Sequence, residues 1–293
     1  MVMNVTRRAG QSRLVLLLAA LLAADAAGAS TCAGPHAVGT TQLTLVDPAR
    51  ANRAVATRVH YPAASAGAGT PAVTGCGFPV VAFGHGFTIG NSAYAYLADA
   101  LAEAGFIVVL PGTEGGLSPD HAEFGRDLAF VGDALVQNSP VTLAAGPGRV
   151  IGGHSMGGGA AVLGVAGASN IGALFAFAPA NTNPSAITAA ASISAPALLI
   201  TGSRDCVTPS ANHASPIFSA LATPAELKQQ IDIEGGSHCQ FTSGSVTCSI
   251  GESSCGGSAT ISVASQQSQA LALLIPWLRQ QFTPAELLVD GFE

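Results

Sequence analysis

The sequence predicts an α/β fold, a mostly parallel central sheet flanked by helices on both faces. Three observations carry it. Short apolar runs alternate with stretches of helical period, as strand–helix units require. One serine, Ser155, sits among glycines between a valine-isoleucine run and an alanine-rich run in "RVIGGHSMGGGAAVLGVAG" (149–167). An acid and a histidine, Asp205 and His238, each follow a later strand-like stretch on its C-terminal side, where open α/β sheets collect their functional groups.

The elements follow in order. Two strands open the domain, around 42–46 and 54–61, and a Gly/Ala/Pro/Thr-rich loop covers 62–77. Strand "PVVAFGH" (79–85) leads to a helix near 92–104, in which Tyr96, Leu97, Ala100 and Leu101 share a face. Strand "FIVVLPG" (106–112) precedes a helix near 121–137. A strand at 149–152 and a helix at 156–166 flank Ser155. Strands "ALFAFAP" (173–179), "ALLITGS" (197–203) and "KQQIDIEG" (228–235) follow, with a helix near 210–221 before the last of them. A cysteine-bearing loop and a helix near 261–282 close the domain. No internal repeat and no charged linker divides the chain.

The N-terminus stands apart. Arg7, Arg8 and Arg13 precede an eleven-residue apolar run (14–24) and the small-residue stretch "DAAGAS" (25–30). That order predicts a secretory signal peptide cleaved near Ala29, since the run is shorter than the roughly 20 residues a bilayer span needs. The expected organisation is a signal peptide (1–29), one catalytic domain (30–282) and a C-terminal tail (283–293), and the expected location is secreted or periplasmic. Removing residues 1–29 takes away three arginines and Asp25, leaving 8 basic and 16 acidic residues of the full chain's 11 and 17, a net of −8. Lys228 is then the only lysine. Nucleic acid is a poor partner for such a surface, because phosphate binding draws on clustered Lys and Arg. No integral membrane segment is expected after cleavage, and the expected state is a monomer.

All six cysteines (Cys32, Cys76, Cys206, Cys239, Cys248, Cys255) lie after the proposed cleavage point. An even number in an exported chain favours disulfides over zinc, and no two of these cysteines have the close C-x₂–₄-C spacing of a zinc site. No metal and no cofactor is expected.

Residues Gly153–Gly157 read G-x-S-x-G in the context the motif requires, an apolar strand before and a helix-forming segment after. A nucleophile at such a turn sits in a strained backbone conformation, and flanking glycines remove the Cβ atoms that would clash there. A phosphate-cradling loop is the competing reading, but it needs a lysine that is missing here. A purely packing role for the glycines is the other.

A serine hydroxyl needs a base, and the base needs an orienting acid. Asp205 after "ALLITGSR" and His238 in "EGGSHCQF" supply them in the chain order Ser–Asp–His. For the oxyanion, the expected donors are the backbone N–H groups of Met156, at the start of a helix, and Phe87, in the glycine-rich loop "FGHGFTIG" (83–90). His85 reads as shaping that loop, His213 as a surface residue of a helix, and His36, His60 and His121 as structural or exposed. Asp127 reads as a helix-surface ion pair with Arg126. Cys206 directly follows Asp205 and Cys239 directly follows His238, so contact of acid and base predicts a Cys206–Cys239 bridge. Cys248–Cys255 would close a small loop, and Cys32–Cys76 follows by elimination.

Together "DPARANRAVATRVHYP" (47–62), "VVAFGHGFT" (80–88), "GGHSMGGG" (152–159), "LLITGSRDCVTP" (198–209) and "GGSHCQF" (235–241) resemble the secreted α/β-hydrolases of the dienelactone hydrolase, chlorophyllase and polyester-hydrolase (cutinase-like) group. The resemblance covers most of residues 40–282. It implies Ser155, Asp205 and His238 as a triad, with Phe87 and Met156 giving oxyanion donors. It departs at one place: secreted polyesterases carry a tryptophan shortly after the strand following the nucleophile helix, and here that region reads "APANTNPSAIT" (178–188). The single tryptophan, Trp277, lies in the last helix. The expected activity is hydrolysis of small or medium acyl esters through an acyl-serine intermediate. Polyester, cutin or lipid esters are the alternative within the class, and an inactive hydrolase-fold binding protein is the alternative outside it. A neutral histidine base implies a rate that rises with pH through the ordinary histidine range, near 6 to 7.

Overall fold

The computed structural model describes residues 32–137 and 139–282; the expected signal peptide and C-terminal tail lie outside the described residues. Among these, nine strands form one sheet: β1 (Ala37–Asp47), β2 (Arg53–Ala63), β3 (Gly67–Ala68), β4 (Phe78–Gly84), β5 (Ile107–Pro111), β6 (Ala145–His154), β7 (Ala173–Phe177), β8 (Ala197–Gly202) and β9 (Lys228–Ile233). Their order is β3-β1-β2-β5-β4-β6-β7-β8-β9. The β1–β2 hairpin joins the sheet antiparallel to β5, and everything from β5 to β9 is parallel.

The inner parallel strands β5, β7 and β8 are short apolar runs because both their faces are covered, whereas edge strand β9 (KQQIDI) fully buries only Ile233. Every residue of β5, β7 and β8 is buried. β4 lies between β5 and β6, so the chain moves one way from β4 through α1 (Ala95–Glu103) to β5 and returns through α2 (His121–Gln137) to β6. Parallel crossovers are right-handed, so reversing the direction of travel puts the two helices on opposite faces. Phe124, Leu128 and Val131 of α2 pack on one face with Ala160 of α3 (Met156–Ala166) and Ile217 of α5 (Ala214–Ala220). Leu97 and Leu101 of α1 and Leu274 and Leu278 of α7 (Val263–Phe282) pack on the other, against Phe83, Phe175 and Phe177. The reversal leaves a crevice at the carboxyl end of β4, the switch point where such sheets bind ligands.

Three elements lack the apolar periodicity that marks the rest. β3 is a two-residue pairing inside the expected 62–77 loop. Helix α4 (Ala186–Ala190) starts at Ser185, whose side chain accepts from Thr188 N–H, and α6 (Val246–Ser254) starts at Ser245, whose side chain accepts from Cys248 N–H. The region read as a cysteine-bearing loop therefore contains a helix.

That helix corrects the disulfide scheme. The bridges are Cys32–Cys76, Cys206–Cys255 and Cys239–Cys248, with Cα–Cα distances of 5.4, 5.9 and 5.6 Å. Cys206–Cys239 and Cys248–Cys255 do not form. Cys248 lies within α6 and Cys255 is its C-cap. Their seven-residue separation spans about 10 Å of helix axis at roughly 1.5 Å per residue, beyond the reach of a disulfide. The two residues after Asp205 and His238 reach instead for opposite ends of α6. No helix among the described residues is long and apolar enough to cross a membrane.

Asp127 is also corrected. It does not pair with Arg126, which bonds Glu123. Asp127 shares the inward face of α2 with Phe124 and Val131, three and four residues away, and is fully buried. Its carboxylate takes Arg53 Nε and Nη2 at 2.8 and 2.7 Å, Arg50 Nη1 at 2.7 Å and Thr113 Oγ1 at 2.5 Å. This cluster ties α2 to the β1–β2 turn and to the loop after β5. Burial alone would raise the Asp127 pKa, but the bonds from Arg53, Thr113 and Arg50 outweigh it and hold the group below its ordinary 3.8. A folded value below the unfolded one means that the stabilisation is present above about pH 4 and is lost as pH falls through the lower, folded value. Asp127→Asn leaves two arginines without their buried partner, and urea unfolding at pH 7 should show a loss of about 3 kcal/mol. The same variant should flatten the acid limb of stability below about pH 4; an unchanged acid limb refutes the assignment.

Candidate active site

Ser155 stands between β6 and α3 with φ 57° and ψ −122°, in the region that L-residues avoid. The strain is held by backbone bonds on both sides: Ser155 N–H donates to Phe177 O at 3.0 Å, and Ser155 O accepts from Gly159 and Ala180 N–H at 3.1 and 2.9 Å. The flanking glycines are required by close approach. A Cβ on Gly153 would lie 2.2 Å from Gly157 O, and one on Gly157 would lie 2.2 Å from Gly84 O. The motif's glycines thus let the turn, α3 and the end of β4 meet backbone to backbone.

The structure brings the three expected side chains together at the carboxyl edge of the sheet. Ser155 Oγ lies 2.9 Å from His238 Nε2, and His238 Nδ1 lies 2.8 Å from Asp205 Oδ2. All three residues are buried. Asp205 follows β8 and is fixed by its own turn, Oδ1 accepting from Val207 and Thr208 N–H at 2.8 Å each. Burial would raise the Asp205 pKa, but the histidine and the Thr208 bonds prevail and keep it below the ordinary carboxylate value. The acid is therefore ionised wherever the histidine can act as a base.

Several residues that sequence reasoning passed over complete this site. Thr208 Oγ1 lies 3.0 Å from His238 Nδ1 and donates to Ala178 O at 3.0 Å, giving the imidazole N–H a second acceptor. The D-x-x-T spacing of an Asx turn was the available signal. His154, the x before Ser155, is fully buried and lies beneath His238, with ring centroids 4.7 Å apart. Burial, with the neighbouring His238, pushes its pKa well below 6.5 and keeps it neutral. One tautomer satisfies every contact. Gly86 N–H donates to Tyr94 Oη at 2.9 Å, Tyr94 Oη–H donates to His154 Nδ1 at 2.9 Å, and His154 Nε2–H donates to His238 O at 3.2 Å. The chain ties the glycine-rich loop after β4 to the histidine loop. No pattern in the sequence links Tyr94 to it.

Phe87 and Met156 flank the serine's surroundings as expected in position. Met156 is the first residue of α3, so its N–H has no intrahelical acceptor. Phe87 sits in a turn closed by Ile89 N–H to Gly86 O at 3.0 Å, which leaves its own N–H out of the turn bond. Its ring is 44% exposed, an aromatic surface beside the site. His85 is buried beneath this loop, its ring nitrogens 2.9 Å from Gly86 O and Thr113 O.

The loop after β7 carries no aromatic residue, and two histidines grip it. His213 is half-buried at the start of α5, not a free surface residue, and its Nδ1 accepts from Asn181 N–H at 2.9 Å. His121 Nδ1 lies 3.1 Å from Asn183 O. Trp277 is buried in α7. His60 is buried against Asp99, and His36 packs edge-on to Phe78. Among the described residues no group of three or more His, Cys, Asp or Glu side chains could hold a metal ion.

A polarised serine hydroxyl, an imidazole with an ionised partner and helix-start N–H groups at one crevice make up the equipment of acyl transfer. Known proteins agree. The PETase family, described as PET hydrolase-like, matches residues 24–255. The bis(hydroxyethyl) terephthalate hydrolase of Streptomyces coelicolor is 28% identical over 247 residues, covering 79% of this chain and 77% of that protein. The chain belongs to the PET hydrolase-like family and is a carboxylic-ester hydrolase on an α/β-hydrolase fold.

Proposed function

We propose that the protein is an exported serine esterase working through an acyl-enzyme on small or medium acyl esters. The observation that carries this reading is the unbroken Ser155–His238–Asp205 chain of 2.9 and 2.8 Å. Ser155 Oγ attacks the ester carbonyl while His238 Nε2 takes its proton. The oxyanion meets the N–H groups of Phe87 and Met156, each such donor contributing on the order of 3 kcal/mol in the transition state. His238 returns the proton to the departing alcohol, then draws one from the water that cleaves the acyl-serine. Asp205 holds the imidazole in the tautomer that leaves Nε2 free to accept. Residues 1–29 act as the export signal, residues 30–282 as the catalytic domain and 283–293 as an appendage without a catalytic part; the domain works as a monomer. The three disulfides favour an oxidising compartment.

A second reading, hydrolysis of aromatic diesters or polyesters, has support in the terephthalate relative's name and in the exposed ring of Phe87. Against it stands the loop at 178–188, which offers no second aromatic face. Paired rings add about 0.5–1.5 kcal/mol, so one missing face predicts a roughly 2- to 12-fold lower kcat/KM for bis(hydroxyethyl) terephthalate than for p-nitrophenyl butyrate after correction for leaving-group reactivity. Steady-state rates on esters graded by chain length and aromaticity test this directly. A preference for the terephthalate ester would replace the first reading with the second.

A further inference from the structure

Helix α6 poses a question of its own. None of its nine residues is fully buried and only Cys248 leans on the core, so packing contributes little to holding it in place. It is attached by chemistry instead. Cys248 is bonded to Cys239, the residue after His238, and Cys255 at its C-cap is bonded to Cys206, the residue after Asp205. Between the two bridges Glu252 turns inward, and its Oε1 accepts the His238 backbone N–H at 2.8 Å and the Cys239 N–H at 3.4 Å. Glu252 is itself half-buried, and Gly257 packs closely on it: a Cβ there would lie 2.7 Å from its Cγ and 2.6 Å from Cys206 Sγ.

The histidine's main chain is thus held from three sides. Buried Gln266 of α7 binds Ser237 N–H and O at 2.8 and 2.7 Å, His154 binds His238 O, and Glu252 binds His238 N–H. Gln266 and His154 are core side chains. Glu252 is the only one of the three borne on an element with no fully buried residue. A carboxylate on an N–H forms a charge-assisted bond, and this one fixes where the histidine's main chain sits.

We propose that Glu252 is a positioning residue for His238, and that α6 with its two disulfides is a splint that holds this carboxylate against the histidine's backbone. The proposal rests on the reading of His238 as the general base. Loss of the bond lets the 238–241 segment shift, and ångström-scale misplacement of a base lowers the rate with little effect on ground-state binding.

Steady-state kinetics of Glu252→Ala and Glu252→Gln on p-nitrophenyl butyrate, with the disulfides intact, test it. Glu252→Ala should lower kcat roughly 10- to 100-fold with KM within about twofold. Glu252→Gln keeps an acceptor oxygen at the same reach and should stay within about threefold of wild type. A role in stability alone would lower the melting temperature and leave kcat at 15 °C untouched. If Glu252→Ala does not fold, Glu252→Asp, one methylene too short to reach the N–H, carries the same expectation. A fall in kcat smaller than about threefold overturns the proposal, as does a loss that lies in KM or one that Gln fails to recover. His238→Ala separates this from the underlying reading. Activity that survives in His238→Ala removes the base assignment itself, whereas an inactive His238→Ala beside a fully active Glu252→Ala removes only the splint.

Discussion

Ser155→Ala is expected to lower kcat on p-nitrophenyl butyrate by roughly 10⁶-fold, to the level left by oxyanion donors and binding alone. The fold should survive it. The bonds that hold this residue in its strained conformation are all made by its backbone N–H and carbonyl, to Phe177, Gly159 and Ala180, and alanine keeps both. What the change removes is one hydroxyl and its 2.9 Å contact with His238 Nε2. A buried imidazole nitrogen left without its partner costs about 1–3 kcal/mol, so melting should shift by only a few degrees. The measurement is turnover together with a thermal melt. An enzyme that keeps even a hundredth of its rate with Ala at position 155 does not use this serine as its nucleophile.

Asp205→Asn carries the second largest effect, a fall in kcat of about 10³- to 10⁴-fold with the geometry preserved. The asparagine oxygen can keep the backbone bonds from Val207 and Thr208 that the aspartate Oδ1 accepts. That choice turns the amide NH₂ toward His238 Nδ1, which must then accept. The ring's proton moves to Nε2, where it faces Ser155 Oγ as a donor and can no longer take the hydroxyl proton. Thr208 offers a partial escape, because its Oγ1 stands 3.0 Å from the same nitrogen and can receive an N–H there. Asp205→Asn with Thr208→Val should therefore be slower than Asp205→Asn by about tenfold, while Thr208→Val alone stays within about threefold of wild type. Asp205→Asn with more than about a tenth of wild-type kcat would show that the acid does not set the tautomer.

The parallel strands and Ser155 were legible in the sequence for related reasons. A strand covered on both faces must be apolar at nearly every position, so β5, β7 and β8 read as apolar runs, with Thr201 the one hydroxyl among them. A strand-to-helix turn that brings Gly153, Gly157 and Gly84 into backbone contact tolerates only glycine, so it leaves a spelled motif. Asp205 could be named because it follows such a strand, and His238 because it follows the alternating edge strand β9, in the order this fold uses. Helix α6 was illegible because it buries no residue fully and turns only Cys248 and Glu252 inward, so it shows no apolar period. With the helix hidden, the cysteines at its two ends looked free to join each other. Asp127 was misread beside Arg126, yet its spacing to Phe124 and Val131 placed it on the inward face of α2.

By itself the sequence determined the fold class, the reaction class and which three side chains were candidates, since each of these leaves a local pattern of apolar period, glycine or chain order. Only the tertiary structure decided the disulfide partners, the Tyr94–His154 chain and the grip of Glu252 and Gln266 on the histidine loop. Those depend on where side chains from distant segments point once the sheet has twisted and the loops have closed over its edge, and a hydrogen bond or a disulfide is fixed by ångströms and angles that no spacing along the chain encodes.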